Sequence, residues 1–181
     1  MNINTLVLGK YATPETLKDA TDRAETKLPD RTIIIVKADD KVRDSEFIVR
    51  HEQHMQGDVC DLLWEASRLD SSEPLLVTSS KGYKCDFSMH EMTEDVRIAI
   101  YCNEITYAGF KFDSTRVLIE AGELQGTDVF RIYFSTTKEF IELTKQVILL
   151  GKIDGEKYTL RTVINQAILN GMKIVVRKLE D

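Results

Sequence analysis

The run Thr32, Ile33, Ile34, Ile35, Val36 is apolar on both of the faces a strand would present. Such a strand has to be covered by helices on both sides, so it belongs in the interior of a sheet. The segments around it fit that demand. Residues 6–8 open as a short strand. Thr13 then offers a side-chain cap, Pro14 suits the first helical position, and Leu17, Ala20, Thr21, Ala24 and Leu28 form one stripe at helical spacing, which Pro29 and Asp30 end. Pro74 introduces a further short strand of Leu75, Leu76 and Val77. In between, Phe47, Ile48, His51 and Met55 share a helical face up to Gly57, where Asp58 caps a second helix carrying Val59, Leu62, Leu63 and Ala66. Strand, helix, strand, helices, strand is the order that builds parallel pairing with crossover helices.

Past residue 80 the period changes from helical to alternating. Val96, Ile98, Ile100 and Cys102 face one way and Arg97, Ala99 and Tyr101 the other, with Asn103 and Glu104 as a hairpin turn into residues 105–112. Asp113 and Ser114 mark a second turn, and residues 116–120 return as a strand, although Ser114 could equally cap a helix carrying Val117, Leu118 and Ala121. Residues 129–134 alternate clearly, with Phe130, Ile132 and Phe134 on one face. Phe140, Ile141, Leu143, Val147, Ile148 and Leu150 then define an amphipathic helix ended by Gly151. Leu160, Val163, Ile164, Ala167 and Ile168 define another, ended by Asn170 and Gly171. Asp154 and Gly155 turn between them, and residues 172–176 close the chain as a strand. The expectation is a mixed α/β fold: a short parallel βαβ series, antiparallel strands after residue 80, two C-terminal helices and a final strand. With 181 residues and no repeat, low-complexity tract or linker, residues 1–181 read as a single domain.

Charge and composition narrow the function classes. A net charge of -6, with basic residues scattered among acids, opposes non-specific nucleic-acid binding, which draws its affinity from clustered Lys and Arg. The longest aliphatic run is far short of the roughly 18 apolar residues of a membrane span. The first residues have neither the basic start nor the long apolar stretch of a secretory signal, and three cysteines do not suggest a disulfide framework. A reducing cytoplasm is the expected compartment.

Two constellations carry chemistry. All the histidines and cysteines lie between His51 and Cys102. His51 and His54, three apart on the expected helix, would share a side, and Cys85 and His90 would complete a tetrahedral metal set if the chain folds back over them. Their spacing matches no familiar zinc pattern, and Cys60 and Cys102 fall on apolar stripes where a thiol packs as a small hydrophobe. The second constellation is the carboxyl edge of the early strands. Lys10 follows the first, Asp39 and Asp40 the second, and Ser79, Ser80 and Lys81 the third; an open parallel sheet gathers such residues where ligands bind. There Lys10 and a helix start would grip a phosphate, and Asp39 or Asp40 a magnesium ion or a ribose hydroxyl. Against this, Ser79 to Gly82 reads on into another strand, and the single Gly9 is a thin cradle. A cysteine or serine activated by His51, His54 or His90 is a third arrangement, without a motif to support it.

Tyr101, Tyr107, Phe110, Phe112, Phe130, Tyr133 and Phe134 place aromatics on both faces of the later strands. The C-terminal helices cover one face; the rest of the chain, a protein partner or a second copy covers the other. With no recognisable catalytic set, the preferred reading is a protein that acts by binding another protein or its own copy. The first alternative is an enzyme acting on a phosphorylated or nucleotide-like small molecule at the strand edge through Lys10, Asp39, Asp40, Ser79, Ser80 and Lys81. The second is a metal-dependent hydrolase or structural metal site using His51, His54, Cys85 and His90.

Overall fold

The aliphatic run is strand β2 (Thr32–Lys37), and it lies inside a seven-stranded sheet. The computed structural model describes residues 3–10, 12–26, 32–51, 57–83 and 95–179. Strand β2 runs parallel to β1 (Asn4–Leu8) on one side and to β3 (Ile48–His51) on the other; β1 pairs in turn with β4 (Leu75–Ser79), again parallel. Leu8 is level with both Ile35 and Ser79, so the carboxyl ends of β1, β2 and β4 share one edge. Beyond β4 come β8 (Phe130–Phe134), β5 (Ile98–Cys102) and β9 (Ile174–Lys178), where β8 runs antiparallel to both neighbours and β5 pairs parallel with β9. The result is a mixed α/β fold with a mostly parallel sheet and a final C-terminal strand.

Helices cover both faces. Helices α2 (Asp58–Ala66), α5 (Thr137–Leu149) and α6 (Leu160–Leu169) pack on one, burying Leu6, Leu8, Val77, Phe130, Ile132 and Phe134 under Val59, Leu62, Phe140, Val163 and Ile164. Helix α1 (Pro14–Thr26) and the one-turn α3 (Ser80–Tyr83) lie on the other, where Leu17, Ala20 and Ala24 meet Val7, Ile34 and Val36. Thr13 does cap α1, its hydroxyl accepting from the Thr16 amide at 3.2 Å; Leu28, Pro29 and Asp30 lie outside the described residues. The aromatics divide as the alternation predicts: Phe130 and Phe134 sit under the C-terminal helices, while Tyr133 meets Tyr101 edge-on across the opposite face. Among the described residues no helix is long and apolar enough to cross a membrane.

Three local expectations are corrected. Residues 48–51 form β3, where a helix carrying Phe47, Ile48 and His51 is expected; Ile48 and Val49 pair with Ile34 and Ile35, and a sheet partner outweighs a short helical pattern. Met55 lies outside the described residues. Asn103 turns no hairpin. It caps the short helix α4 (Glu104–Tyr107) by accepting from the Thr106 amide at 3.0 Å, and β5 finds its antiparallel partner in β8. Finally, the chain after Ser79 coils into α3 where a strand is expected, and Gly82 passes so close to β8 that a Cβ there would stand 2.1 Å from the Phe130 carbonyl oxygen. The return strand is present as β7 (Leu118–Glu120), paired with the two-residue β6 (Lys111–Phe112).

Candidate functional site

Gly9 continues the pairing of β1 through its amide, which donates to the Ile35 carbonyl at 2.7 Å, and this delivers Lys10 to the carboxyl edge under α2. Lys10 is only 4% exposed. Its ammonium meets the Asp61 carboxylate, itself 2% exposed. Asp61 and Glu65 stand one turn apart on the buried side of α2, and His51 at the end of β3 fits between them. Its Nδ1 lies 3.3 Å from Asp61 Oδ1 and its Nε2 2.9 Å from Glu65 Oε1. Arg68 closes the series from the surface, 3.3 Å from Glu65 Oε2. A series of paired side chains thus runs from the sheet edge to solvent, each carboxylate flanked by ammonium, guanidinium or imidazole nitrogens, the condition under which burial of ions is tolerated.

Beside Lys10 a cavity of ≈ 350 Å³ opens. Leu8, Lys10, Gly57 and Asp58 form one side of it, and the loop 123–127 and the segment 154–161, which runs from a turn into the start of α6, form the other. The first loop follows β7 and is tied to α6 where the Ala121 amide donates to Asn165 Oδ1 at 2.8 Å. The second is the turn that Asp154 and Gly155 predict, closed by the bridge from Asp154 to Lys157. Arg161 is held at the rim by Glu120 at 3.1 Å, with Glu123 and Asp154 at the limit of ion-pair distance. Lys157 is exposed and has no ion pair among the described residues.

Asp58 opens α2 and faces this cavity. It makes no capping bond, contrary to expectation; the residue before the helix is Gly57, at φ 101° and ψ 167°, whose Cβ position would fall 2.3 Å from the Tyr158 carbonyl oxygen. Burial holds the Asp58 carboxyl above its ordinary value of 3.8; Lys10 pulls it down, Asp61 pushes it up, and Lys157 and Lys37 pull it down more weakly. The sign has a consequence for stability. A carboxyl raised in the folded state contributes stability that is complete below its unfolded value and lost as pH rises through the folded one. Asp58→Asn is therefore expected to raise the unfolding free energy near neutral pH, by about 1 kcal/mol on the scale of relieved functional sites. The gain should shrink toward zero below pH 3.8, as read by urea denaturation across pH.

Of the six residues expected at the strand edge, Lys10 alone lines the cavity. Asp39 is exposed, and Asp40 Oδ2 accepts from the Lys37 amide at 2.8 Å, so the pair forms the turn leaving β2. Ser79 Oγ accepts from the Gly82 and Phe130 amides at 3.0 and 3.2 Å, which commits it to joining β4 and β8. Ser80 is buried and Lys81 exposed on α3, across the sheet from the cavity. The strand ends do share an edge, but the α3 turn carries Ser80 and Lys81 to its other face. Of the expected metal set, His54, Cys85 and His90 lie outside the described residues, and His51 stands on a strand with both nitrogens beside carboxylates. Among the described residues no group of three or more His, Cys, Asp or Glu is placed to hold a metal ion. Burial raises the thiols of both Cys60 and Cys102, the latter to about 12, which makes either a poor nucleophile at neutral pH.

Asp58, Asp61, Glu65, Lys157 and Arg161 escaped the sequence reading. One signal was present: Asp61 and Glu65 interleave with Leu62 and Ala66 on the buried stripe of α2, where acids belong only if they are paired or used.

No protein-family model matches the chain, and no curated protein is similar to it in sequence. Solved structures do resemble it. A nucleoside-diphosphate-sugar pyrophosphorylase from Vibrio cholerae superposes with a TM-score of 0.57 at 10% identity, over 98% of this chain and 73% of that one. The 2-C-methyl-D-erythritol 4-phosphate cytidylyltransferase from Thermus thermophilus gives 0.53 at 10% identity, over 99% and 90%. The CTP:phosphocholine cytidylyltransferase from Streptococcus pneumoniae gives 0.57 at 11% identity, over 100% and 91%. At these identities the shared property is the fold.

Proposed function

We propose that the protein is an enzyme acting on a nucleotide-like phosphorylated small molecule, bound in the cavity at the carboxyl end of β1. The observation that carries this reading is the cavity itself. It lies at the edge where open α/β sheets take ligands, and it brings Lys10 and Lys157 near the half-buried Asp58 carboxylate, with Arg161 in the same lining. Lys157, without an ion pair among the described residues, is the cation ready to meet a phosphate. Arg161 adds a guanidinium from the first turn of α6, and Thr127 and Thr159 line the wall with hydroxyls. The resemblance in fold to a pyrophosphorylase of nucleoside diphosphate sugars and two cytidylyltransferases supports the same substrate class. This reading replaces binding without catalysis as the preferred one, because it explains a built cavity that a pure docking protein would not need.

The test is thermal unfolding with each of the common nucleoside triphosphates, with and without Mg²⁺, followed by assay of pyrophosphate release. A ligand at a hundredfold excess over its Kd adds about 2.7 kcal/mol, so at least one triphosphate should raise Tm by several degrees. Lys157→Ala should remove most of that rise while leaving the Tm of the free protein nearly unchanged. The reading is wrong if no triphosphate shifts Tm, or if the shift is the same in Lys157→Ala.

A further inference from the structure

Asp58 is unusual among the acids of this site. Asp61 and Glu65 are each held by basic or imidazole nitrogens, and Asp154 and Glu123 approach Arg161. The Asp58 carboxylate lines the cavity and has no hydrogen bond or ion pair among the described residues. Its setting is nonetheless dry enough to penalise the charge, with Lys10, Lys157 and Lys37 near enough to offset part of that penalty and Asp61 adding to it. A desolvated carboxylate without donors, opening onto a cavity, is an acceptor awaiting a donor.

We infer that Asp58 is a specificity-determining residue that accepts a hydrogen bond from a hydroxyl or ammonium group of the ligand, while Lys157 on the facing loop takes its phosphate. The cavity then selects phosphorylated molecules that carry a donor and discriminates against those that present only phosphate and hydrocarbon. This rests on the reading of the cavity as a phosphorylated-ligand site and narrows its substrate class. Discrimination of this kind arises because a ligand without the donor covers the half-buried carboxylate and leaves it without a partner.

Three probes of nearly the same size isolate the donor: ethyl phosphate, 2-hydroxyethyl phosphate and 2-aminoethyl phosphate. Titrated into the full chain in the presence of EDTA and followed by NMR, the hydroxyl or the amine should bind about ten- to a hundredfold more tightly than ethyl phosphate, the range of a hydrogen bond to a charged group. Which of the two gains more identifies the donor. In Asp58→Ala the three affinities should converge to within about twofold of one another, whatever their common level, and in Lys157→Ala all three should weaken together. Equal affinities in the wild type, an advantage that survives Asp58→Ala, or discrimination that appears only when Mg²⁺ replaces EDTA would each overturn the inference. If none of the probes binds but a nucleoside triphosphate does, the inference falls and the cavity reading stands. If neither class binds, the cavity reading falls with it.

Discussion

Asp61→Ala is expected to destabilise the protein by about 3–5 kcal/mol, the cost of removing one member from a buried set of charges. Asp61 is the carboxylate that Lys10 and His51 both meet, and all three are buried or nearly so. Its loss takes from the buried Lys10 ammonium and from one His51 nitrogen the carboxylate that each meets. For a chain of this length that corresponds to a fall in Tm of roughly 10 °C, at about 2–4 °C per kcal/mol. Replacing the ion pair by an apolar pair, Lys10→Met with Asp61→Leu, should recover the part of the loss that falls on Lys10, since well-packed hydrophobic residues often match a buried pair in stability. The double variant separates architecture from function. It should be more stable than Asp61→Ala yet bind nucleoside triphosphate more weakly than the wild type, because Lys10 also faces the cavity. A single variant within about 1 kcal/mol of the wild type would mean that the charges are already satisfied by water.

Gly57→Ala should be the second most damaging change, at about 3 kcal/mol. The backbone at φ 101° and ψ 167° lies in a region that is essentially glycine-only and costs another residue roughly 1–3 kcal/mol. The new methyl carbon would also stand 2.3 Å from the Tyr158 carbonyl oxygen, so the segment 154–161 has to retreat. That segment carries Lys157 and leads into Arg161 in the first turn of α6. The substitution should therefore weaken ligand binding by more than its cost in stability accounts for. Gly155→Ala supplies the comparison: its φ is +69°, but nothing lies within 4 Å of the added carbon, so only the backbone cost remains. Chemical denaturation and ligand titration on the two variants decide whether the close approach of Gly57 to Tyr158 shapes the cavity. Equal effects of the two would show that it does not.

The parts of the fold that are legible in the sequence are those whose partners do not matter. Helices α5 and α6 repeat their apolar residues at a helical period over more than two turns, and β2 is apolar on both faces wherever its neighbours lie. Misreadings arise where a long-range partner decides. Phe47, Ile48 and His51 suit a helix or a strand equally, and only pairing of Ile48 and Val49 with β2 selects the strand. Ile98 to Cys102 reads as half of a hairpin because its true antiparallel partner, β8, comes nearly thirty residues later. The site shows the same division. Lys10 is legible because it follows β1 directly. The opposite wall is not, because the loop 123–127 and the segment 154–161 reach the cavity through the packing of β7 and α6. Ser79 misleads for a simpler reason: a strand-end hydroxyl serves a neighbouring backbone amide as readily as a ligand.

A crystal structure of the protein with the nucleoside triphosphate that stabilises it most would test the central claim directly. The expected result is ligand density in the cavity at the carboxyl end of β1, with phosphate oxygens on Lys157 and Arg161 and the rest of the molecule reaching Asp58. Density for the triphosphate on the α1 and α3 face of the sheet, with the cavity holding only solvent, would contradict it.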